Sequence, residues 1–184
     1  MLSATSSDGS TDRVVAWCMH QPSGRQRAYD GRTRVVGPVG RRDTGAVGRA
    51  VGEDEDQIRR TLGEYSQWCD DGRFDAWSDL FTEDARLVLG ETVTQGREAI
   101  RTYMESVQPA EARGKHITSN SLMDIDGDNA TTATDYLFVR STPAGPAIVA
   151  AGRYHDELVR IGERWRFRQR TITMLGVPDG DIDG

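Results

Sequence analysis

Four apolar residues recur at helical spacing where the chain first shows a regular pattern: Ile58, Leu62, Tyr65 and Cys69. This spacing predicts an amphipathic helix. Acidic residues at positions 53–56 lie at its start, where the positive end of the helix dipole favours negative charge. Gly72, directly after Asp71, predicts where the helix ends.

Two shorter apolar patterns predict two further helices. The second helix has an apolar face made of Phe74, Trp77, Leu80 and Phe81. The third begins at Gly96 and ends before Pro109, because proline cannot continue a helix. Its apolar face is made of Ile100, Tyr103, Met104 and Val107.

The remaining regular pattern is typical of strands. Residues 82–84 predict a turn, and a small strand pair follows at residues 85–89 and 92–94. Asp126-Gly127-Asp128 is typical of a hairpin turn. Helices followed by an antiparallel meander predict the α+β class, with three N-terminal helices packed on a curved sheet around a cone-shaped cavity. The four long strands of the meander are predicted at residues 116–125, 130–141, 147–161 and 164–175.

Residues 1–52 lack a sustained hydrophobic period and are rich in Gly, Ser, Thr and Arg. We expect this extension to be disordered or foreign to the native chain, because it cannot bury enough apolar surface to order itself. Eight Arg against four Asp give it +4, so the net charge of −6 leaves −10 for residues 53–184. Such an acidic folded part argues against nucleic-acid binding. The chain therefore divides into the extension, a domain at residues 53–175 and an acidic tail at residues 176–184.

The composition argues against a metal site and a membrane anchor. Cys18 and Cys69 provide neither a disulfide framework nor a paired-cysteine metal motif. Aspartates alternate over residues 124–128 as in a calcium loop, but Asn129 stands where such a loop needs glycine, so a hairpin turn explains them better. No apolar run approaches the length of a membrane span. We expect a cytoplasmic protein that binds no metal, no membrane and no nucleic acid.

A carboxylate and an imidazole are the strongest candidates for chemistry. Asp70 lies at the end of the first predicted helix and His116 opens the first long strand, so a helix-then-sheet fold can bring both into one pocket. In a functional pair, Asp70 orients the imidazole and His116 removes a proton from a substrate carbon. The structural alternative is that Asp70 ends a helix beside Gly72 and that His116 is a partly exposed strand residue.

Six further residues are candidates for substrate binding. Tyr65 and Trp68 share a helix with Asp70, and they either line the pocket or pack in the core. Asn120 lies four residues after His116, hence on the same strand face, where it contacts substrate or pairs locally. An arginine in the pocket suits an anionic or enolate-like substrate, whereas most strand arginines face solvent. The later strands contribute Tyr154, Arg160 and Arg170, with the cavity, the solvated face and a dimer interface as possible locations.

Seven short motifs follow one another in the second part of the chain. They are Tyr65-x4-Asp70-x4-Asp75, Leu80-Phe81-x2-Asp84-Ala85, Gly96-Arg97-Glu98-Ala99-Ile100, His116-x3-Asn120, Asp126-Gly127-Asp128-x-Ala130, Gly152-Arg153-Tyr154-x-Asp156 and Trp165-x-Phe167-x2-Arg170. In this order they resemble the SnoaL-like branch of the nuclear transport factor 2-like superfamily. The resemblance covers residues 53–175.

The resemblance implies a cone-shaped α+β barrel with a deep pocket, commonly assembled as a homodimer through the sheet face. Members include polyketide cyclases, scytalone dehydratase, ketosteroid isomerase, a dehydrochlorinase, bile acid dehydratase and non-catalytic proteins, so the fold alone does not give the function. The dehydratases and the dehydrochlorinase use an Asp and a His at the positions that Asp70 and His116 match, and Arg160 falls near a functional arginine of the dehydrochlorinase. Cys69 departs from the pattern, because scytalone dehydratase has a Tyr directly before its Asp. That enzyme also has a second pocket His, whereas the only later His here is His155.

Residues and resemblance together predict a small cofactor-free enzyme of the dehydratase, isomerase or cyclase type. His116 and Asp70 would take a proton from an apolar or polycyclic small molecule in a deep pocket. Two alternatives stay open. One is a non-catalytic module that binds a hydrophobic ligand or assembles with a partner, and the other is the small subunit of a ring-hydroxylating dioxygenase.

Overall fold

The computed structural model describes residues 51–176, so most of the predicted extension and acidic tail lies outside the described residues. Three helices are present in this range: α1 (Val51–Asp70), α2 (Phe74–Ser78) and α3 (Arg97–Val107). A short 3-10 helix at Ala110–Ala112 leads into the sheet. None of these helices is long and apolar enough to cross a membrane. The strands are β1 (Phe81–Leu89), β2 (Thr92–Gln95), β3 (Lys115–Asp126), β4 (Asn129–Thr142), β5 (Gly145–Ile161) and β6 (Arg164–Met174).

The six strands form one sheet in the order β2-β1-β6-β5-β4-β3. Strands β3 to β6 are an antiparallel meander, because each pairs with the next along the chain. Strand β1 joins the other side of β6 in parallel and carries β2 at the edge. The predicted α+β class, with three helices on a curved sheet, is thereby confirmed. The parallel β1–β6 pair is an addition that the local pattern did not predict.

The turn predicted at residues 82–84 is wrong, because these residues belong to β1. Phe81 pairs with Phe167 and Arg86 pairs with Gln169, so five steps along β1 correspond to two along β6. The excess residues form an irregularity in the strand, and such bulges accommodate polar, turn-like residues without ending the strand.

The inner face of α1 forms much of the core. Ile58, Leu62, Tyr65 and Cys69 are all buried, which confirms the predicted helical face. The ring of Tyr65 lies 5.2 Å from that of Trp77 and 5.6 Å from that of Phe167, both in tilted or edge-on contact. This contact fixes α1 across the sheet, and its C-terminal end lies at the start of β3.

Apolar side chains are exposed on the sheet face turned away from the helices. We call Ile117, Leu122, Leu137 and Ile148 the outer patch; their exposed fractions are 53%, 74%, 37% and 62%. Ile117 lies directly opposite Leu137 in the β3–β4 register. Beside them, Arg153 donates to Asp135 at 2.6 Å. A sheet face of this composition is typical of a surface that another molecule covers.

Candidate active site

A helix-ending turn fixes the position of Asp70. The N–H of Gly72 donates to the carbonyl of Cys69 at 3.0 Å, and the N–H of Arg73 donates to the carbonyl of Trp68 at 2.8 Å. Gly72 has a φ of +69°, a left-handed conformation that glycine adopts without steric cost. These features form a Schellman motif. Asp70 is therefore the last helical residue, and its orientation is set by the turn that follows.

The structure brings Asp70 and His116 into contact. Oδ1 of Asp70 lies 2.6 Å from Nδ1 of His116, and Oδ2 accepts the backbone N–H of His116 at 3.0 Å. The Asp70 side chain is 3% exposed and the His116 side chain 11%. One carboxylate therefore holds both the ring and the backbone of the histidine at the edge of the interior.

This geometry decides which nitrogen of His116 can accept a proton. An ionised Asp70 only accepts hydrogen bonds, so the neutral imidazole carries its proton on Nδ1 and leaves the lone pair of Nε2 free. The ring of Phe138 stacks on the imidazole, with centroids 4.4 Å apart at 28°. Nε2 is therefore an oriented hydrogen-bond acceptor beside the ring of Phe138.

A second polar group lies deeper in the core. Arg170 donates from Nε and Nη2 to the two carboxylate oxygens of Asp156, both at 2.7 Å. Its guanidinium carbon lies 3.8 Å from the ring centroid of Tyr65 and 4.2 Å from that of Tyr154. Nη1 of Arg170 is buried without a hydrogen-bond partner. A fixed, buried cation with one free donor is suited to hold an oxygen that becomes negatively charged.

Burial controls the protonation of the groups around Arg170. Burial opposes the charge of Arg170 itself, but the attraction of Asp156 outweighs it and leaves the pKa of the guanidinium raised. Burial also raises the pKa of Tyr65 and of Tyr154 well above the usual range, although Arg170 works against this. Both phenols are therefore hydrogen-bond donors at neutral pH.

Cys69 precedes Asp70 in α1 and is buried in the core. Burial, followed by the charge of Asp70, raises the pKa of its thiol to about 12, while Arg113 and Arg170 act in the opposite sense. The thiol is neutral and unreactive at neutral pH, which favours a packing role.

Asn120 does not lie on the face of His116. The β3–β4 register shifts between Ser119 and Leu122, and Asn120 itself has a φ of +52°. This irregularity ends the two-residue alternation on which its predicted position depended. The amide of Asn120 donates instead to Asp135 at 3.4 Å, on the outer face of the sheet.

Arg160 lies at the far end of α1. Its guanidinium donates to Asp54 at 2.8 Å and to Asp128 at 2.7 Å, and it lies 5.3 Å from the ring of Trp165. Asp54 precedes Asp70 by sixteen residues of helix, a distance of about 24 Å at 1.5 Å per residue. Arg160 therefore joins the first turn of α1 to the β3–β4 turn and is remote from His116.

Trp68 lies two residues before Asp70 in α1. Its half-buried ring packs against the edge of the core and carries the guanidinium of Arg73 at 5.1 Å. It therefore lies near Asp70 but makes no contact with Arg170 that the structure shows.

Sequence reasoning missed two residues of this region, Asp156 and Phe138. Asp156 belongs to a quoted motif and lies opposite Arg170 in the β5–β6 hairpin, so pairing the two strands in register would have found it. Phe138 lies opposite His116 in the β3–β4 hairpin and could be found in the same way. Within residues 51–176, no group of three or more His, Cys, Asp or Glu side chains could hold a metal ion.

Known proteins share this architecture. A protein of unknown function from Mycobacterium tuberculosis, solved as an Asp-to-Asn variant, is 29% identical over 71% of this chain and 78% of its own, with a TM-score of 0.64. A candidate scytalone dehydratase from Novosphingobium aromaticivorans is 21% identical over 71% and 90%, with a TM-score of 0.61. A candidate β subunit of an aromatic-ring-hydroxylating dioxygenase from the same organism is 18% identical over 71% and 96%, with a TM-score of 0.60.

The last two likenesses show the fold alone, because identities this low carry no further conclusion. Comparison with curated proteins finds no match. The sequence profile described as the SnoaL-like domain matches residues 51–171, which includes α1, strands β1 to β5, most of β6 and both Asp70 and His116. The chain therefore belongs to the SnoaL-like domain family.

Proposed function

We propose that this protein is an enzyme that removes a proton from a carbon atom of a cyclic, largely apolar small molecule. His116 is the base and Asp70 holds it in the reactive tautomer. The observation that carries the proposal is the double hydrogen bond of Asp70 to the ring and the backbone of His116. A purely helix-ending aspartate has no need to orient an imidazole so closely.

The proposed step balances without a cofactor. Nε2 of His116 takes a proton from the carbon next to a carbonyl group, and the electron pair of that C–H bond moves to the carbonyl oxygen as an enolate. If a C=C bond of the substrate is conjugated with this enolate, the charge extends over it, and return of the proton to the far carbon of that bond shifts the double bond and completes an isomerisation. If a hydroxyl is present on the next carbon, the imidazolium protonates it and water leaves, which completes a dehydration.

The buried guanidinium supports the same chemistry. Arg170 has one donor, Nη1, that no described group accepts, and the side chain is fixed by Asp156. In the proposed complex this donor, with the hydroxyl groups of Tyr65 and Tyr154, stabilises the enolate oxygen. Phe138 provides an apolar surface for the substrate ring beside the base.

The proposal is tested by proton exchange, which needs no leaving group. We expect the protein to catalyse deuterium incorporation into 2-tetralone in D₂O, measured by mass spectrometry, and His116→Gln to lower that rate by about 10²–10⁴-fold. His155→Gln is the matched control, because His155 is exposed on the outer face of β5. Equal exchange rates in the two variants would contradict the assignment of His116.

The outer patch favours a second candidate function, assembly with another chain. The patch places Ile117, Leu122, Leu137 and Ile148 in solvent on one sheet face. A partner that covered them would remove apolar surface from water, at about 25 cal/mol per Å². The simplest partner is a second copy of this chain, which would make the protein a homodimer through the sheet face.

Sedimentation measures this association directly. We expect a dimer for the wild-type protein. The double variant Ile117→Thr with Leu137→Thr should shift it to the monomer, because each substitution puts a hydroxyl group into a patch that the dimer would bury. Val93→Thr is the control, since Val93 is 46% exposed but lies on β2, away from the patch. A dimer that survives the double variant would place the interface elsewhere.

A further inference from the structure

Four cations lie on or beside the elements that carry the Asp70–His116 pair. We call Arg73, Arg113, Lys115 and Arg140 the basic rim. They come from the turn after α1, the segment before β3, the first residue of β3 and the inner face of β4. The rim is notable because residues 53–184 carry a net charge of −10, the remainder of −6 after the +4 of residues 1–52.

Arg113 is held against the turn that ends α1. A Cβ atom built on Gly72 would lie 2.3 Å from the guanidinium carbon of Arg113, so the cation occupies the space that a side chain at position 72 would take. Its Nε donates to the carbonyl of Gln108 at 3.1 Å, and its guanidinium lies 5.4 Å from the ring of Phe74. Gly72 is two residues after Asp70, so this cation lies beside the pair.

Arg140 lies against the segment before β3, which also carries Arg113. It follows Phe138 on the inner face of β4, and Phe138 stacks on His116. A Cβ atom on Gly114 would lie 3.0 Å from Cγ of Arg140 and 2.2 Å from the carbonyl oxygen of Val139. Nη2 of Arg140 donates to the backbone carbonyl of Glu111 at 3.0 Å. Glycine at position 114 thus lets the arginine lie close to the segment before β3.

Only Lys115 of the rim is paired with acids near it, since its Nζ also lies 3.9 Å from Oδ2 of Asp70. Asp70 is engaged by His116, and Asp71 lies 3.4 Å from Lys115. Among the ion pairs of the described residues, none includes Arg73, Arg113 or Arg140, which are held by backbone carbonyls and aromatic rings. Elsewhere Arg101 and Arg153 each pair with a carboxylate, whereas the exposed Arg86 and Arg168 donate to side-chain amides.

We infer that the substrate carries an oxyanion group, such as a carboxylate, which binds the basic rim while the apolar ring of the same molecule reaches Nε2 of His116. This inference rests on the proposed function, since it describes the substrate of that site. Guanidinium groups suit it, because their planar fork binds carboxylate and related oxyanions through two parallel hydrogen bonds. Three such groups around one opening also attract the anion from solution.

Two probes of equal shape separate charge from apolar contact. We expect 2-naphthoate to bind at least about tenfold more tightly than neutral 2-naphthamide, measured by calorimetry. The reason is that a hydrogen bond between a guanidinium and a carboxylate is stronger than one to a neutral amide. Arg113→Gln and Arg140→Gln should each weaken 2-naphthoate severalfold and leave 2-naphthamide unchanged. Arg168→Gln is the control, because Arg168 is exposed and donates to Asn129 at the far end of the sheet.

Three results would overturn the inference: equal affinity for the two probes, a preference for 2-naphthoate that survives both arginine variants, or no binding of 2-naphthoate at millimolar concentration. Unfolding by urea shows whether either variant acts through stability instead. His116→Gln separates this inference from the proposed function. This variant should keep the preference for 2-naphthoate over 2-naphthamide. If it does so and its 2-tetralone exchange rate is unaltered, His116 is not the base, but binding of the oxyanion by the basic rim is still supported.

Discussion

Replacing Asp70 with Asn is expected to slow proton transfer by about 10²–10⁴-fold while the fold is preserved. The reason lies in the two hydrogen bonds that Asp70 accepts, from the ring Nδ1 and from the backbone N–H of His116. An asparagine has only one acceptor oxygen. If that oxygen keeps the hydrogen bond from the backbone N–H, the amide NH₂ faces Nδ1 and the imidazole proton moves to Nε2. Nε2 then has no lone pair with which to take a proton from the substrate.

Asp71→Asn provides the matched control. It makes the same change of charge one residue later, on a side chain that is 56% exposed and near Lys115. We expect it to keep most of the activity. The measurements are the 2-tetralone exchange rate and the nitrogen chemical shifts of the His116 ring, which report the tautomer. An Asp70→Asn protein with wild-type tautomer and wild-type exchange would show that the carboxylate has only a structural role.

Replacing Asp156 with Asn is expected to lower the free energy of unfolding by about 3–5 kcal/mol, the usual effect of removing one partner of a buried ion pair. Arg170 and Asp156 have side chains that are 1% and 0% exposed. Without the carboxylate, the guanidinium stays charged between the rings of Tyr65 and Tyr154 and cannot reach water.

Urea unfolding measures the effect, with the midpoint lowered and the slope unchanged. Asp135→Asn is the control, because it also breaks an arginine–aspartate pair, with Arg153, but on the exposed face of the sheet. We expect its midpoint to stay close to that of the wild type. The double variant Asp156→Leu with Arg170→Met should recover much of the loss, since it removes both charges. An Asp156→Asn midpoint equal to that of Asp135→Asn would mean that the buried pair contributes little.

Most of the fold could be predicted because the helices and strands that the local sequence pattern favours are also the ones that bury its apolar residues. The four apolar residues of α1 are all buried, and Gly72 ends the helix as its position indicated. The failures have one physical cause, irregular strand pairing. Bulges place residues 82–84 inside β1 and turn Asn120 to the outer face, and both depend on the partner strand, which a single stretch of sequence does not contain.

The candidate site could be predicted only in part. Element order and a family resemblance predict that Asp70 and His116 share one site; the two are in contact, and their catalytic role stays a prediction. Arg160 and Arg170 were indistinguishable in sequence because both lie on late strands. Only the three-dimensional arrangement shows that one clamps the start of α1 and that the other lies buried among aromatic rings.

The parallel pairing of β1 with β6 has a consequence for how the chain acquires its fold. During synthesis α1 and β1 leave the ribosome before β6, whose Phe167 pairs with Phe81 and which is the last of the six described strands to emerge. The β3–β6 meander can assemble hairpin by hairpin, but closure over β1 joins distant parts of the chain and is intrinsically slow. Nascent chains that stop before β6 therefore expose the apolar face of α1 and are prone to aggregate. The strand that supplies Arg170 is also the one whose arrival completes the core.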